Sequence, residues 1–211
     1  MATNGIANAL NNLGSNYARN GDHDRALPLY QETYEAALLV GERLMIAVAL
    51  SNLGSASRSL GHYATAQRNY EQSLIHCRAM GERRWTAAGL NGLGLTLLDM
   101  GQNTAAATYL QEALQIAQEI GSMPDALDAL AGLGQGYPLH ASRSTAATLL
   151  TFVAEHKVTQ TPARQRCREA LQRLRSQLAP AELVAAEQRA ATLDIQQAAV
   201  LVQELYVAAT A

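Results

Sequence analysis

A glycine returns every 40 residues at places where a helix should exclude it. The stretches are "ALNNLGSNYARNG" (9–21), "ALSNLGSASRSLG" (49–61), "GLNGLGLTLLDMG" (89–101) and "ALAGLGQGYPLHA" (129–141). Each has helical apolar spacing, yet carries Gly14, Gly54, Gly94 or Gly134 in its middle. An interior glycine costs a helix about 1 kcal/mol relative to alanine. Four copies at one period mark a chain built from repeated supersecondary units. Such a unit cannot bury its apolar stripe alone, so neighbouring units must stack.

Further columns keep the same step. Gly21, Gly61 and Gly101 recur, with Ala141 in the fourth copy; Gly41, Gly81 and Gly121 recur, with Thr161 in the fourth. Ala26, Ala66, Ala106 and Ala146 form an alanine column, followed four residues later by Tyr30, Tyr70, Leu110 and Leu150. The pairs Leu10/Leu13, Leu50/Leu53, Leu90/Leu93 and Leu130/Leu133 are spaced to share one helical face. Each unit therefore reads as two helices, the first ending near the second glycine in a left-handed conformation. Pro28 is expected in or beside the first turn of a helix starting near Asp24, and Pro124 at a helix start. Gly14 is expected to face Ala26 of the partner helix. Alanine should be tolerated there and leucine at Gly54 should not.

Apolar residues make up 48% and aromatics 5% of the 211 residues, which favours small-residue helix packing over a sheet sandwich. The net charge of −2 gives no general attraction to nucleic acid or an anionic membrane. Cys77 and Cys167 have no disulfide or zinc spacing. No secretory signal and no apolar run of membrane-spanning length is present, so a cytoplasmic setting is expected.

The order of leucine, "LG", aromatic, turn glycine, alanine and a large residue four later resembles the tetratricopeptide repeat. "NNLGSNYARNGDHDRALPLY" carries the pattern best; Ser57 and Leu97 replace Tyr17 in the next two copies. The resemblance spans about residues 4–155, with units near 4–41, 42–81, 82–121 and 122–155. The family's usual unit is 34 residues, so longer helices are expected. It implies an all-α, right-handed α–α superhelix of antiparallel pairs. Residues 156–211 are expected to add a degenerate fifth pair and a capping helix to the same continuous domain. Cys167, Ala170, Leu171, Leu174 and Leu178 form the stripe of its first helix, and the chain breaks near Thr192, where Asp194 or Thr192 could cap the last helix.

The layout of "STAATLLTFVAEH", a basic linking helix and "PAELVAAEQRAATLDIQQAAVLVQEL" is similar to the C-terminal repeat region of bacterial signalling ATPases and transcriptional regulators. That resemblance implies a sensor or regulatory arm. No P-loop or helix-turn-helix reader accompanies it.

In the tetratricopeptide family the first helix of each pair lines a concave groove. Carried over, the groove would hold Asn8, Asn11, Asn12, Ser15 and Arg19 in the first unit. Val48, Ser51, Asn52, Ser55, Arg58 and Ser59 follow in the second, Asn91, Leu95 and Asp99 in the third, and Asp128 and Gln135 in the fourth. Asn12 and Asn52 suit a peptide backbone, because an amide both donates and accepts. Only Arg19 and Arg58 supply cations, too few for a clamp on acidic chain ends. The expected partner is a protein or peptide, with no cofactor and no metal.

The basic residues Lys157, Arg164, Arg166, Arg168, Arg173 and Arg175 flank an apolar stripe without interleaved aromatics. They read as a solvated helix surface, so direct nucleic-acid binding is not expected. His23 and His62 fall at equivalent turns; His140 and His156 complete no motif. His76 and Cys77 point to different faces, poor geometry for a nucleophile and its base. Tyr17, Tyr30, Tyr70 and Tyr137 read as core, and Trp85 as core or an exposed anchor. No catalytic constellation appears, so the chain is not expected to be an enzyme. Solenoid ends expose stripes meant for a neighbour, which allows homo-oligomers.

Overall fold

The computed structural model describes residues 2–136 and 143–207. Tyr137, His140 and Ala141 lie outside the described residues. Eleven helices occur among those described: α1 (Ala2–Arg19), α2 (His23–Val40), α3 (Arg43–Ser59), α4 (Tyr63–Met80), α5 (Arg83–Asp99), α6 (Asn103–Glu119), α7 (Met123–Gln135), α8 (Arg143–Glu155), α9 (Thr161–Arg175), α10 (Pro180–Thr192) and α11 (Ile195–Val207). Successive helices run as antiparallel pairs. The chain divides into two compact units, Met1–Met100 and Gly101–Ala211.

The turn glycines do what the spacing predicts. Gly21, Gly61 and Gly101 have φ of 81°, 80° and 74°; Gly41, Gly81 and Gly121 have 68°, 70° and 68°. A side chain with a Cβ rarely adopts this left-handed conformation. After five of these glycines the next N–H reaches back five residues. His62 donates to the Ser57 carbonyl at 2.8 Å and Ser122 to that of Ala117 at 2.8 Å. This pattern satisfies carbonyls at the helix end that have no intrahelical partner.

Two mid-helix glycines of the first unit, Gly14 and Gly54, meet a tyrosine ring first, and for Gly14 this ring lies nearer than Ala26. A Cβ on Gly14 would lie 2.9 Å from Cε1 of Tyr30, and one on Gly54 3.0 Å from the Tyr70 ring. Both tyrosines are buried, at 3% and 4% exposure. The glycine admits the ring, and the serine after it receives the hydroxyl. Tyr30 donates to Ser15 Oγ at 3.4 Å, and Tyr70 is bonded to Ser55. Burial pushes the Tyr70 phenol above its usual range, opposed by the nearby Arg58 charge and the Ser55 bond. From α5, Gly92 approaches the same ring, and a Cβ there would sit 2.3 Å from it.

Three local expectations change. Pro28 lies inside α2, because the helix starts at His23 after the cap Asp22. Asp22 accepts from the Arg25 N–H at 3.3 Å. The α1 stripe is uncovered: Leu13 is 46% exposed, whereas its equivalent Leu53 is 6% exposed. Leu53 gains its cover from Ala26 and Tyr30 of the preceding helix. Tyr17 is only half-buried and stacks under the Arg25 guanidinium at 5.7 Å.

In the second unit Leu127, Leu130 and Leu133 of α7 and Leu149, Leu150 and Val153 of α8 are buried to 1% or less. A Cβ on Gly134 would meet Leu150 Cδ2 at 2.9 Å. In α9, Cys167, Ala170 and Leu174 are buried and Leu171 is half-buried. The helix ends at Arg175, so Leu178 falls in the following link. Asp194 is the cap of α11. It accepts from the Gln197 N–H at 2.8 Å, and Gln197 Oε1 accepts from the Asp194 N–H at 2.9 Å. Thr192 bonds within α10 instead, to the Arg189 carbonyl. Tyr206 of α11 donates to the Leu133 carbonyl at 2.9 Å, tying the last helix to α7.

Candidate functional site

The first helices of the pairs in the first unit, α1, α3 and α5, carry most of the candidate binding residues. At about 100° per residue, Asn8, Asn11, Asn12, Ser15 and Arg19 fall within an arc of roughly 100° on α1. Asn8, Asn12, Arg19 and Ser55 are exposed; Asn11, Ser15, Ser51, Asn52 and Arg58 are half-buried.

Much of this polar surface is committed to holding itself together. Asn52 donates from its amide to Asn11 Oδ1 at 2.7 Å, joining α3 to α1. Arg58 Nε donates to Asp99 Oδ2 at 2.6 Å, joining α3 to α5. Their side chains are only 21% and 34% exposed, so this pair is less screened than a surface one. Both bonds span 41 residues, one more than the repeat. Ser15 donates to the Asn11 carbonyl at 2.8 Å and receives the Tyr30 hydroxyl. Arg19 donates to Asn16. The face is thus a fixed row of amides and hydroxyls whose inner cation is neutralised. It suits hydrogen bonding to a peptide better than capture of an anion.

Three candidate residues do not reach the surface. Val48 and Leu95 are 7% exposed and Asn91 5%. The carried-over pattern places them in the groove, and the packed helices bury them instead. In the second unit, Asp128 pairs with Arg166 of α9 at 3.6 Å, and Gln135 donates to the Ala131 carbonyl of its own helix.

The basic run is partly structural. Arg164 donates from Nε to the Ala154 carbonyl and from Nη2 to that of His156, each at 2.9 Å. A cation at a helix C-terminus also opposes the helix dipole. Arg175 lies 4.0 Å from Glu187. Lys157, Arg168 and Arg173 are exposed.

Neither thiol is placed for chemistry. Cys77 and Cys167 are both fully buried. Burial pushes the Cys167 thiol up to about 12; Arg166 opposes the shift and Asp128 adds to it. Burial also raises Cys77, against a contact with Ser73. A thiol held protonated is a poor nucleophile. His62 is exposed and His23 half-buried; Trp85, in the first turn of α5, is half-buried. Among the described residues no three His, Cys, Asp or Glu side chains converge on a metal position. No described helix is long and apolar enough to cross a membrane.

One feature escapes sequence reasoning. In the second unit, α8, the α8–α9 link and α10 border a cleft of about 540 Å³, lined among others by Phe152, Glu155, His156, Val158, Glu187 and Ala190. Phe152 and His156 meet edge to face at 5.6 Å. The only phenylalanine of the chain, one helical turn before a histidine, is the signal that could have marked it.

Stacked helix pairs with glycine turns and a polar first-helix face define an α-solenoid repeat protein. Residues 5–79 and 86–120, together over half of the chain, match models described as tetratricopeptide repeat. The chain belongs to the tetratricopeptide-repeat family. No curated protein matches it in sequence. Among solved structures it is similar to BtubC (BKLC) from P. vanneervenii, at 16% identity and a TM-score of 0.65, over 99% of this chain and 82% of that one. It is also similar to a putative kinesin light chain of Podosopora anserina with nearly identical TPR-like repeats. There the identity is 18% and the TM-score 0.60, over 93% of this chain and 94% of that one. A point variant of the latter gives 17% identity and a TM-score of 0.60, over 93% of each chain. At these identities the likeness shows the fold alone, an all-α, TPR-like solenoid.

Proposed function

We propose that the chain is a non-enzymatic protein-interaction module that binds a peptide or extended protein segment along the α1/α3 face of its first unit. The family supplies the class, since tetratricopeptide repeats are generally protein-interaction modules. One observation carries the site: the Asn11–Asn52 and Arg58–Asp99 bonds hold the row of first helices while Asn8 and Asn12 remain exposed beside them. A pre-ordered polar row avoids part of the entropy cost of ordering side chains on binding. The ligand is an uncharged or mixed segment, because Arg58 is already paired. Ser15 and Ser55 serve the tyrosine hydroxyls and act as supports.

The test is a random peptide library selected on the immobilised chain, followed by calorimetric titration of enriched peptides. Replacing Asn8 and Asn12 together with alanine should weaken binding by roughly tenfold or more, at about 1 kcal/mol per hydrogen bond. Unchanged affinity removes this face as the site. A cytoplasmic location fits the two free cysteines. A second reading, a regulatory arm of a larger ATPase or transcriptional regulator, rests on the α10–α11 break and the Asp194 cap. A reading frame encoding a nucleotide-binding domain fused upstream would support it, and an independent short gene would remove it.

A further inference from the structure

The cleft of the second unit is formed without any residue of the proposed peptide face. Its walls come from residues 151–158, at the end of α8 and in the α8–α9 link, and from residues 187–193, at the end of α10. Neither terminus of the chain contributes to them. Its volume of about 540 Å³ falls within the ~300–1,000 Å³ of small-molecule sites. The link that forms one wall is pinned. Thr159 donates its hydroxyl to the Val153 carbonyl at 2.6 Å, and Arg164 donates to the carbonyls of Ala154 and His156. The Val158 N–H donates to His156 Nδ1 at 3.3 Å, which holds the ring that meets Phe152. A wall set in this way loses little entropy when a ligand arrives. Val158 nevertheless stays 47% exposed in the lining.

Charge selects what can fill it. The floor is apolar, with Phe152 and Ala190 at 7% and 6% exposure. Two exposed carboxylates, Glu155 and Glu187, stand in the lining against one cation, Lys157. Glu155 has no hydrogen-bond or ion-pair partner among the described residues. Glu187 meets Arg175 at 4.0 Å with both side chains more than half exposed, a loose pair of the kind that contributes little. Arg164 is turned to the backbone carbonyls and does not line the cleft. A cation can donate charge-assisted hydrogen bonds to the carboxylates, each roughly twice as strong as a neutral one. The negative face of an aromatic ring also favours a cation over an anion. An anion would meet two like charges, and a neutral ligand would leave both carboxylates unmatched.

We propose that this cleft binds a small organic cation, a protonated amine carried on an aromatic or branched hydrocarbon body. The body packs against Phe152, Val158 and Ala190, and the ammonium donates to Glu155 and Glu187. The site does not rest on the peptide-binding reading, and either can fail without the other.

Amide-shift titrations of isotope-labelled chain at neutral pH test this with 2-phenylethylamine, 2-phenylethanol and 3-phenylpropionate, which share a phenylethyl body and differ in charge. The amine should give saturable shifts within residues 151–158 and 187–193, with a dissociation constant on the order of 1 mM for so small a probe. It should bind at least about tenfold more tightly than the propionate, with the alcohol between them. Glu155→Gln combined with Glu187→Gln should bring the amine to within about twofold of the alcohol. The melting temperature should be unchanged, since both side chains are exposed. Glu169→Gln alters an exposed carboxylate on α9 that does not line the cleft, and should keep the wild-type order. Ala191→Trp fills the cleft from an exposed lining position and should abolish the shifts there. An amine that gives no saturable shifts in these residues overturns the proposal, as does a propionate that binds equally well. So does a double-glutamine form that keeps the full preference, a Glu169→Gln form that loses it equally, or an Ala191→Trp form that binds as wild type does.

Discussion

Replacing Gly92 with alanine tests the packing of the first unit at its tightest point. The added Cβ would lie 2.3 Å from Cε1 and Cζ of Tyr70 and 2.7 Å from its hydroxyl. An ordinary carbon–carbon contact is about 3.5–4 Å, so ring or helix must move by roughly 1 Å or more. The ring has little freedom: it is 4% exposed, tied to Ser55, and backed by Gly54, whose own Cβ position is 3.0 Å away. Alanine gains about 1 kcal/mol of helix propensity. Overpacking costs ~1–3 kcal/mol and sits at the upper end here. The net expectation is a loss of about 1–2 kcal/mol. At ~2–4 °C per kcal/mol for a chain of this size, the melting temperature followed by circular dichroism should fall by about 2–8 °C. Tyr70→Leu, which installs the residue found at Leu110 and Leu150, should rescue it, with a coupling of at least ~1 kcal/mol in the double-mutant cycle. Two further glycines calibrate the series. Gly14→Ala meets Tyr30 at 2.9 Å and should lose less; Gly5→Ala meets nothing within 4 Å and should gain up to ~1 kcal/mol. A Gly92→Ala form as stable as wild type, or additive changes in the cycle, would refute the interlocked ring.

Other outcomes follow from the same contacts. Arg58→Ala and Asp99→Ala should each cost about 0.5–1 kcal/mol in urea titrations, and the double variant no more than the larger single loss; additive losses would contradict the pair. Both cysteines should resist a thiol reagent in the folded chain at mildly alkaline pH and react at least about tenfold faster in denaturant; rapid native labelling would contradict their burial. Because the folded Cys167 pKa of about 12 lies above the ordinary thiol value of 9.0, the protonated form is favoured in the native state. Its stabilising effect is full below about pH 9 and is lost as pH rises toward 12. Urea midpoints should therefore fall above about pH 9, less steeply in Cys167→Ala, and equal slopes would count against this. Gly54→Leu should prevent the first unit from folding, read as loss of about half of the helical signal, and an unchanged spectrum would show that the Tyr70 ring can yield.

The helix pairs and their turns were legible because period and glycine conformation are local properties. A glycine at the end of each of α1 to α6, followed by a polar residue, specifies the left-handed turn without reference to anything distant. Gly14 was legible as a packing position but not by partner. Its neighbour is set by which side chain four residues after Ala26 is large enough to reach it, and only the folded pair shows that Tyr30 does. The proposed binding face could be traced to the sequence only in part. The resemblance to the tetratricopeptide repeat implied Asn8 and Asn12 in a groove, and both side chains are exposed. A pattern of positions along the chain could not show that Val48, Asn91 and Leu95 are buried, since burial depends on how the helices pack. The Arg58–Asp99 and Asn11–Asn52 pairs lie one residue off the 40-residue column, so a comparison of equivalent positions passes over them. The cleft beside Phe152 was not legible, because it is bounded by the least periodic part of the chain.

The proposed function requires binding to register on the face of α1 and α3. Isotope-labelled chain titrated with a library-selected peptide, followed by backbone amide shifts, tests this most directly. Binding at that face predicts the largest perturbations within residues 8–19 and 48–59, and their loss when Asn8 and Asn12 are both alanine. Perturbations confined to other helices, above all those around the Phe152 cleft, would contradict it.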